Sequence, residues 1–169
     1  MGLDMYLTAE RFLWSMKDNP DYPIRQSIQA QFPELGELND EWGSTGFKVQ
    51  GVKAEVGYWR KANQIHAWFV KNVQEGEDDC GSYDVEWDKL AELRKVCKAV
   101  LERRELAEEL LPSESGFFFG GTEYDEYYFD QLERTVEIID AIEKNLVTEV
   151  SQDGTFRYSK WDIKYQSSW

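Results

Sequence analysis

The sequence is short of the side chains that carry most metal and nucleophile chemistry. It holds one histidine, His66, and two cysteines, Cys80 and Cys97, with no CxxC pair. A single imidazole excludes an HxxxH pair, and no DxDxDG loop is present, so neither a metal ion nor another cofactor is expected. Cys80 follows Glu77, Asp78 and Asp79, whose negative charge disfavours a thiolate. Cys97 falls inside an apolar helical stripe and reads as core. GxGxxG, Walker A, GxSxG and zinc-finger patterns are all missing. No apolar run is long enough to cross a bilayer, and the first residues lack the basic and apolar regions of a signal peptide. Gly2 is not followed by the Ser or Thr that myristoylation needs. These absences predict a cytosolic protein, with free thiols and no membrane partner.

What is abundant is acid and aromatic surface. The net charge is −14, and aromatics make up 15% of the 169 residues. The charge is segregated. Residues 1–74 hold 9 acids and 8 bases, residues 75–149 hold 22 and 8, and residues 150–169 hold 2 and 3. The imbalance therefore lies in the middle-to-late section. Such a field argues against direct nucleic-acid binding and permits a basic partner surface. The same acids also serve simply to keep helices soluble. The aromatics read as a core with a few exposed rings.

Residues 3–8 alternate Leu3, Met5 and Leu7 against Asp4, Tyr6 and Thr8, the pattern of a half-buried strand. Ile24, Ile28 and Phe32 predict a short helix over 24–32, stopped by Pro33. Residues 33–46, with Gly36, Gly43 and Gly46, read as an irregular loop. A second strand is predicted over 47–58. Its apolar parity switches at Gly51-Val52, from Phe47 and Val49 to Val52, Ala54, Val56 and Tyr58, as a bulge or a tight turn would make it do. Gly57 is placed for a close backbone approach.

Three longer helices follow. The first, 59–74, carries Ala62, Ile65, Phe69 and Val73, with Trp68 on its flank. The second, 85–111, carries Leu90, Leu93, Cys97, Val100 and Leu101 behind an Asp84 N-cap, and Pro112 ends it. The third runs from the pair Thr122–Asp125 to about Val150, with Tyr128, Leu132, Thr135, Ile139, Ile142 and Leu146 as its stripe. Asp153-Gly154 is a turn, and 155–165 is the last strand. The expected architecture is one α+β domain over residues 1–169. Its small antiparallel sheet joins the N-terminal, central and C-terminal strands, and three helices cover one face.

Two candidate sites follow. On a helix starting at 59, Arg60, Asn63 and His66 share a face at a strand-to-helix junction. With Lys61, that row suits an anion, and His66 suits acid–base work. Glu123 and Asp125, beyond the aromatic loop Phe117-Phe118-Phe119, are placed to assist. The opposing expectation is that Arg60 and Lys61 pair with acidic helices and His66 is held structurally. The second candidate is a partner surface made by Glu77, Asp78, Asp79, Glu105, Glu108 and Glu109.

Five stretches, Met1-Gly-Leu-Asp-Met-Tyr-Leu7, Val56-Gly-Tyr-Trp-Arg-Lys-Ala-Asn63, Ile65-His66 with Trp68-Phe69, Gly116-Phe-Phe-Phe-Gly120 and Tyr165-Gln-Ser-Ser-Trp169, resemble a family of small proteins encoded by bacteriophages and prophages. No activity is established for that family. The resemblance implies a phage accessory protein that works in the bacterial cytoplasm against host machinery, including defence systems. Two functions are therefore expected. The first is binding and modulation of a basic host protein through the acidic surface. The second is binding of a nucleotide-like anion, or chemistry on it, at Arg60, Asn63 and His66. The balance leans away from an enzyme, and the oligomeric state is open.

Overall fold

The computed structural model describes residues 2–41, 46–116, 119–152 and 156–169. Phe117, Phe118 and the expected Asp153-Gly154 turn lie outside the described residues, as does Gly43. The fold is α+β, with a four-stranded antiparallel sheet and a separate two-stranded one. In chain order the elements are β1 (Asp4–Phe12), α1 (Asp21–Gln29), β2 (Gly51–Arg60), α2 (Asn63–Asn72), β3 (Ser82–Asp84), α3 (Trp87–Glu102), α4 (Ala107–Leu110), α5 (Glu126–Leu146), β4 (Val147–Val150), β5 (Arg157–Ser159) and β6 (Asp162–Ser168). The larger sheet runs β2-β1-β6-β3, so the first and last strands are neighbours, as the sequence predicted. Among the described residues, no helix is long and apolar enough to cross a membrane.

The residues fall into two compact units, Glu10–Ala54 and the remainder, each described by itself. The larger unit is built on strand alternation. Leu3, Met5, Leu7 and Ala9 are buried, while Asp4, Tyr6 and Thr8 on the opposite face stay half-exposed. Ile163 and Tyr165 of β6 continue that buried face. The apolar stripes of α2, α3 and α5 cover it. Fully buried Phe69 stacks on Tyr165 with ring centroids 4.0 Å apart and planes 10° from parallel. Cys97 is fully buried in the α3 stripe, and burial pushes its thiol up to about 12, so it acts as a small apolar side chain. A Cβ on Gly57 would stand 2.8 Å from the Ile138 side chain, the close approach that its position predicted.

The smaller unit is held by buried polar groups. Arg25, 2% exposed, forks onto Asp40 at 2.7 and 2.8 Å and donates to the Val49 carbonyl. Gln29 donates to the carbonyls of Leu35, Gly36 and Phe47 and accepts from Val49 N–H. The described part of the expected 33–46 loop is therefore anchored to α1 by specific bonds.

Several boundaries differ from the sequence pattern. Residues 59 and 60 finish β2 instead of opening a helix, because Lys61 adopts a left-handed backbone (φ 58°) and breaks the helical run. The β1–β2 ladder carries an extra residue on β2. Leu13 N–H donates to Gln50 O and Lys61 N–H to Leu3 O, and the step from Leu3 to Leu13 is one residue shorter than the step from Gln50 to Lys61. This is the count of a β-bulge between Gln50 and Lys61; the buried parity of β2 is that of Gly57 and Trp59, and not that of Val52, Ala54, Val56 and Tyr58. The helix expected over 85–111 stops at Glu102, where Arg103 leaves helical dihedrals (φ −138°, ψ 89°). Beyond that break Arg104 lies over the Phe129 ring at 4.1 Å and bonds Glu126, while Ala107 and Leu111 return to the core. Glu86, not Asp84, stands at the α3 N-cap, since Asp84 is used in β3 opposite Lys164. The helix predicted to Val150 ends at Leu146, and Val147–Val150 pairs with β5. The last strand expected over 155–165 is two strands, β5 and β6, with Trp161 N–H bonded to Ser159 Oγ where the chain leaves one sheet for the other.

Two predictions follow from the α5 contacts. Trp59 Nε1–H, fully buried, donates to Thr135 Oγ1 at 2.9 Å, which explains a threonine inside an apolar stripe. Thr135→Val leaves that donor unmet and should lower stability by about 1–3 kcal/mol in urea unfolding. Burial alone raises the Glu143 carboxyl. The bonds from Arg157 Nε (2.6 Å) and from Arg94 outweigh it and hold the group below the usual carboxylate range. That contribution is present above the unfolded value of about 4.3 and is lost as pH falls through the folded value. Glu143→Gln should therefore lower the melting temperature near neutrality and flatten the acid limb of the stability curve.

Candidate functional site

Helix α2 is buried on nearly every side, and three of its polar residues need internal partners. Asn63, 2% exposed, donates through Nδ2 to the carbonyls of Gly121 (2.8 Å) and Phe119 (3.3 Å). Its Oδ1 accepts from Glu114 N–H at 3.0 Å. Gln64 donates to the Tyr128 carbonyl. His66, 1% exposed, meets the Tyr165 hydroxyl through Nδ1 at 2.7 Å and Asp78 Oδ2 through Nε2 at 3.0 Å. Burial, followed by the nearby charge of Asp78, pushes the Tyr165 phenol well above its usual range. Asp78 Oδ1 also accepts from Trp169 Nε1–H at 3.2 Å.

The expected row does not assemble as a row. Arg60 is the last residue of β2, and its exposed side chain lies 3.9 Å from Asp4. Every polar atom of Asn63 and both ring nitrogens of His66 are engaged within the fold. Lys61, Asn63, Glu123 and Asp125 do converge. They line a cleft of about 120 Å³ with Gln64, Ser113, Gly121, Tyr127 and Tyr128. The cleft is small, about a seventh of the volume of the groove described next. Within it Asp125 caps α5 by accepting from Tyr128 N–H at 3.0 Å, so its carboxylate has a structural task. Among the described residues, no group of three His, Cys, Asp or Glu side chains is arranged to hold a metal ion.

The large cavity lies on the other side of α2. A groove of about 820 Å³ opens between α2, the segment 75–78, α3 and the stretch 109–119. Glu75, Asp78, Glu92, Glu109 and Glu114 line it, against one base, Lys71. Trp68, Val70, Val96, Leu110, Leu111 and Phe119 supply apolar surface, and His66 stands in its wall. Two of the six acids named as a partner surface, Asp78 and Glu109, belong to this groove. Glu77, Glu105 and Glu108 are exposed and do not line it. Asp79 holds a local turn, accepting from Gly81 N–H at 2.7 Å and Tyr83 O–H at 3.0 Å, bonds that lower its carboxyl.

Sequence reasoning missed Glu75, Glu92, Glu114 and the apolar floor, because they come from segments far apart in the chain. The one signal was the pairing of acids with Leu110-Leu111 and Val96 at the edges of the helical stripes. Asn63→Ala removes three bonds that tie 114–121 to α2. It should cost about 1–3 kcal/mol by urea unfolding and speed amide exchange in that segment, leaving β6 protected. No protein-family model, curated protein or solved structure matches the chain.

Proposed function

We propose that the chain is a binding protein that takes a basic, amphipathic segment of a partner protein into the groove beside α2. One observation carries this reading. The same cavity of about 820 Å³ combines five carboxylates, a single lysine and six apolar side chains. The apolar side chains accept the aliphatic and aromatic side of a segment, and the carboxylates meet its Lys and Arg heads. The excess of acid over 75–149 adds a longer-range field that draws in such a partner.

The resemblance to phage and prophage proteins supports a bacterial host protein as the source of that segment. Basic surfaces of host proteins are commonly the ones that touch nucleic acid, so occupying one modulates or blocks that contact. On this reading the protein works by occupancy and catalyses nothing.

The test is fluorescence anisotropy with a labelled amphipathic peptide bearing one Lys/Arg face. Affinity should fall as salt rises. Glu92→Lys with Glu109→Lys should weaken binding by about tenfold or more, roughly 1.4 kcal/mol. Glu133→Lys with Glu137→Lys changes net charge equally on α5, outside the groove, and should have a much smaller effect. Equal losses from the two pairs would show that bulk charge, and not the groove, binds the peptide.

A further inference from the structure

The chain Tyr165–His66–Asp78 ends in a carboxylate with unused capacity. Among the described residues, the buried Tyr165 hydroxyl has one hydrogen-bond partner, His66 Nδ1. The phenol proton therefore points to Nδ1, and this fixes the tautomer. His66 Nε2 carries its proton and donates to Asp78 Oδ2, while Trp169 Nε1–H donates to Oδ1. Each Asp78 oxygen thus accepts one internal donor and retains a further lone pair. The carboxylate is not sealed in, since its side chain is 27% exposed and lines the groove. Among the described residues, no Lys or Arg side chain reaches it. The two residues that bond Asp78 both meet the Phe119 ring edge-to-face, His66 at 5.2 Å and Trp169 at 6.2 Å between ring centroids. Phe119 is also a groove-lining residue.

We propose that Asp78 is a guanidinium subsite that receives an arginine side chain of the docked segment. This rests on the reading of the groove as a docking site for a basic segment. The planar fork of arginine delivers two parallel N–H donors to two oxygens, which suits a carboxylate with a lone pair left on each. Its flat face is suited to lie against an aromatic ring, and Phe119 supplies one. A lysine ammonium is a compact, strongly hydrated point charge and uses neither feature fully. His66 and Tyr165 do not touch the ligand in this arrangement. They are positioning residues that hold Asp78 in one orientation before the ligand arrives, so less ordering cost falls on binding.

The experiment is a titration of the intact, ¹⁵N-labelled protein, following the Trp169 indole Nε1–H resonance. The probes are N-acetyl-arginine amide, N-acetyl-lysine amide and N-acetyl-citrulline amide, the last being nearly isosteric with arginine and uncharged. The arginine derivative should give a saturable shift, with affinity about fivefold or more above that of lysine, and citrulline should give none. Asp78→Asn should abolish the arginine response. His66→Gln should cut the preference for arginine over lysine while the remaining spectrum stays folded, a change that a purely structural histidine would not produce. Equal response to lysine, a response to citrulline, or an unchanged arginine shift in Asp78→Asn overturns the subsite. If the amphipathic peptide binds the groove while the arginine derivative leaves Trp169 unmoved, the subsite fails and the docking reading stands. If the arginine derivative binds at Asp78 and the peptide does not bind, the docking reading fails instead.

Discussion

The carboxamide of Asn63 is the contact on which the rest of the groove depends. It lies at the first turn of α2, just after the left-handed Lys61, and bonds the backbone at Glu114, Phe119 and Gly121. A buried amide without such partners costs several times what one hydrogen bond contributes, so the segment 114–121 is held where those groups coincide. The backbones then approach closely, and Gly120, itself left-handed (φ 95°), faces Lys61. With the segment in place, Phe119 stands over His66, and one wall of the groove exists. The same helix buries Gln64 and His66, each bonded to a residue remote in sequence. Helix α2 is thus a polar hub inside an apolar core, and its bonds fix the geometry that hydrophobic packing alone leaves loose.

The acids divide into two populations. On α5, Asp140 and Glu143 take Arg94 and Lys98, Glu143 also takes Arg157, and Glu126 takes Arg104. Much of the scarce basic charge is used there, in pairs that bridge α3, α5 and β5. Around the groove, Glu92 shares a pair with Lys89, while Glu75, Glu109 and Glu114 have no Lys or Arg partner among the described residues. The groove thus brings acids without a basic partner against apolar side chains. Coulombic attraction is weak in bulk water and grows in a partly desolvated groove, so this placement matters more than the net charge.

Much of the fold was legible because it rests on periodicity. The alternation of Leu3, Met5 and Leu7, and the stripes Leu90-Leu93-Cys97-Val100 and Leu132-Thr135-Ile139-Ile142, coincide with the buried faces. Gly57 was legible because a strand glycine marks a close approach. The misplaced boundaries share a cause. Lys61 and Arg103 take non-helical dihedrals for tertiary reasons, with no Gly or Pro to signal them. Strand β3, three residues long, gains its place only by pairing with β6, and no local pattern marks it. Arg60, Asn63 and His66 looked alike in sequence as polar residues at helical spacing. They differ because one ends an exposed strand while the other two face the interior. The groove was illegible for a simpler reason: its lining spans residues 64 to 119, and only the folded chain brings those side chains together.

The central claim is that the groove beside α2 is where this protein meets its partner. Amide hydrogen exchange, followed by mass spectrometry with and without the amphipathic Lys/Arg peptide, tests it most directly. The account predicts slowed exchange in 64–78 and 107–119, with little change in α1 or in the β4–β5 hairpin. Protection confined to the hairpin or to residues 10–54, or no protection at saturating peptide, would contradict it.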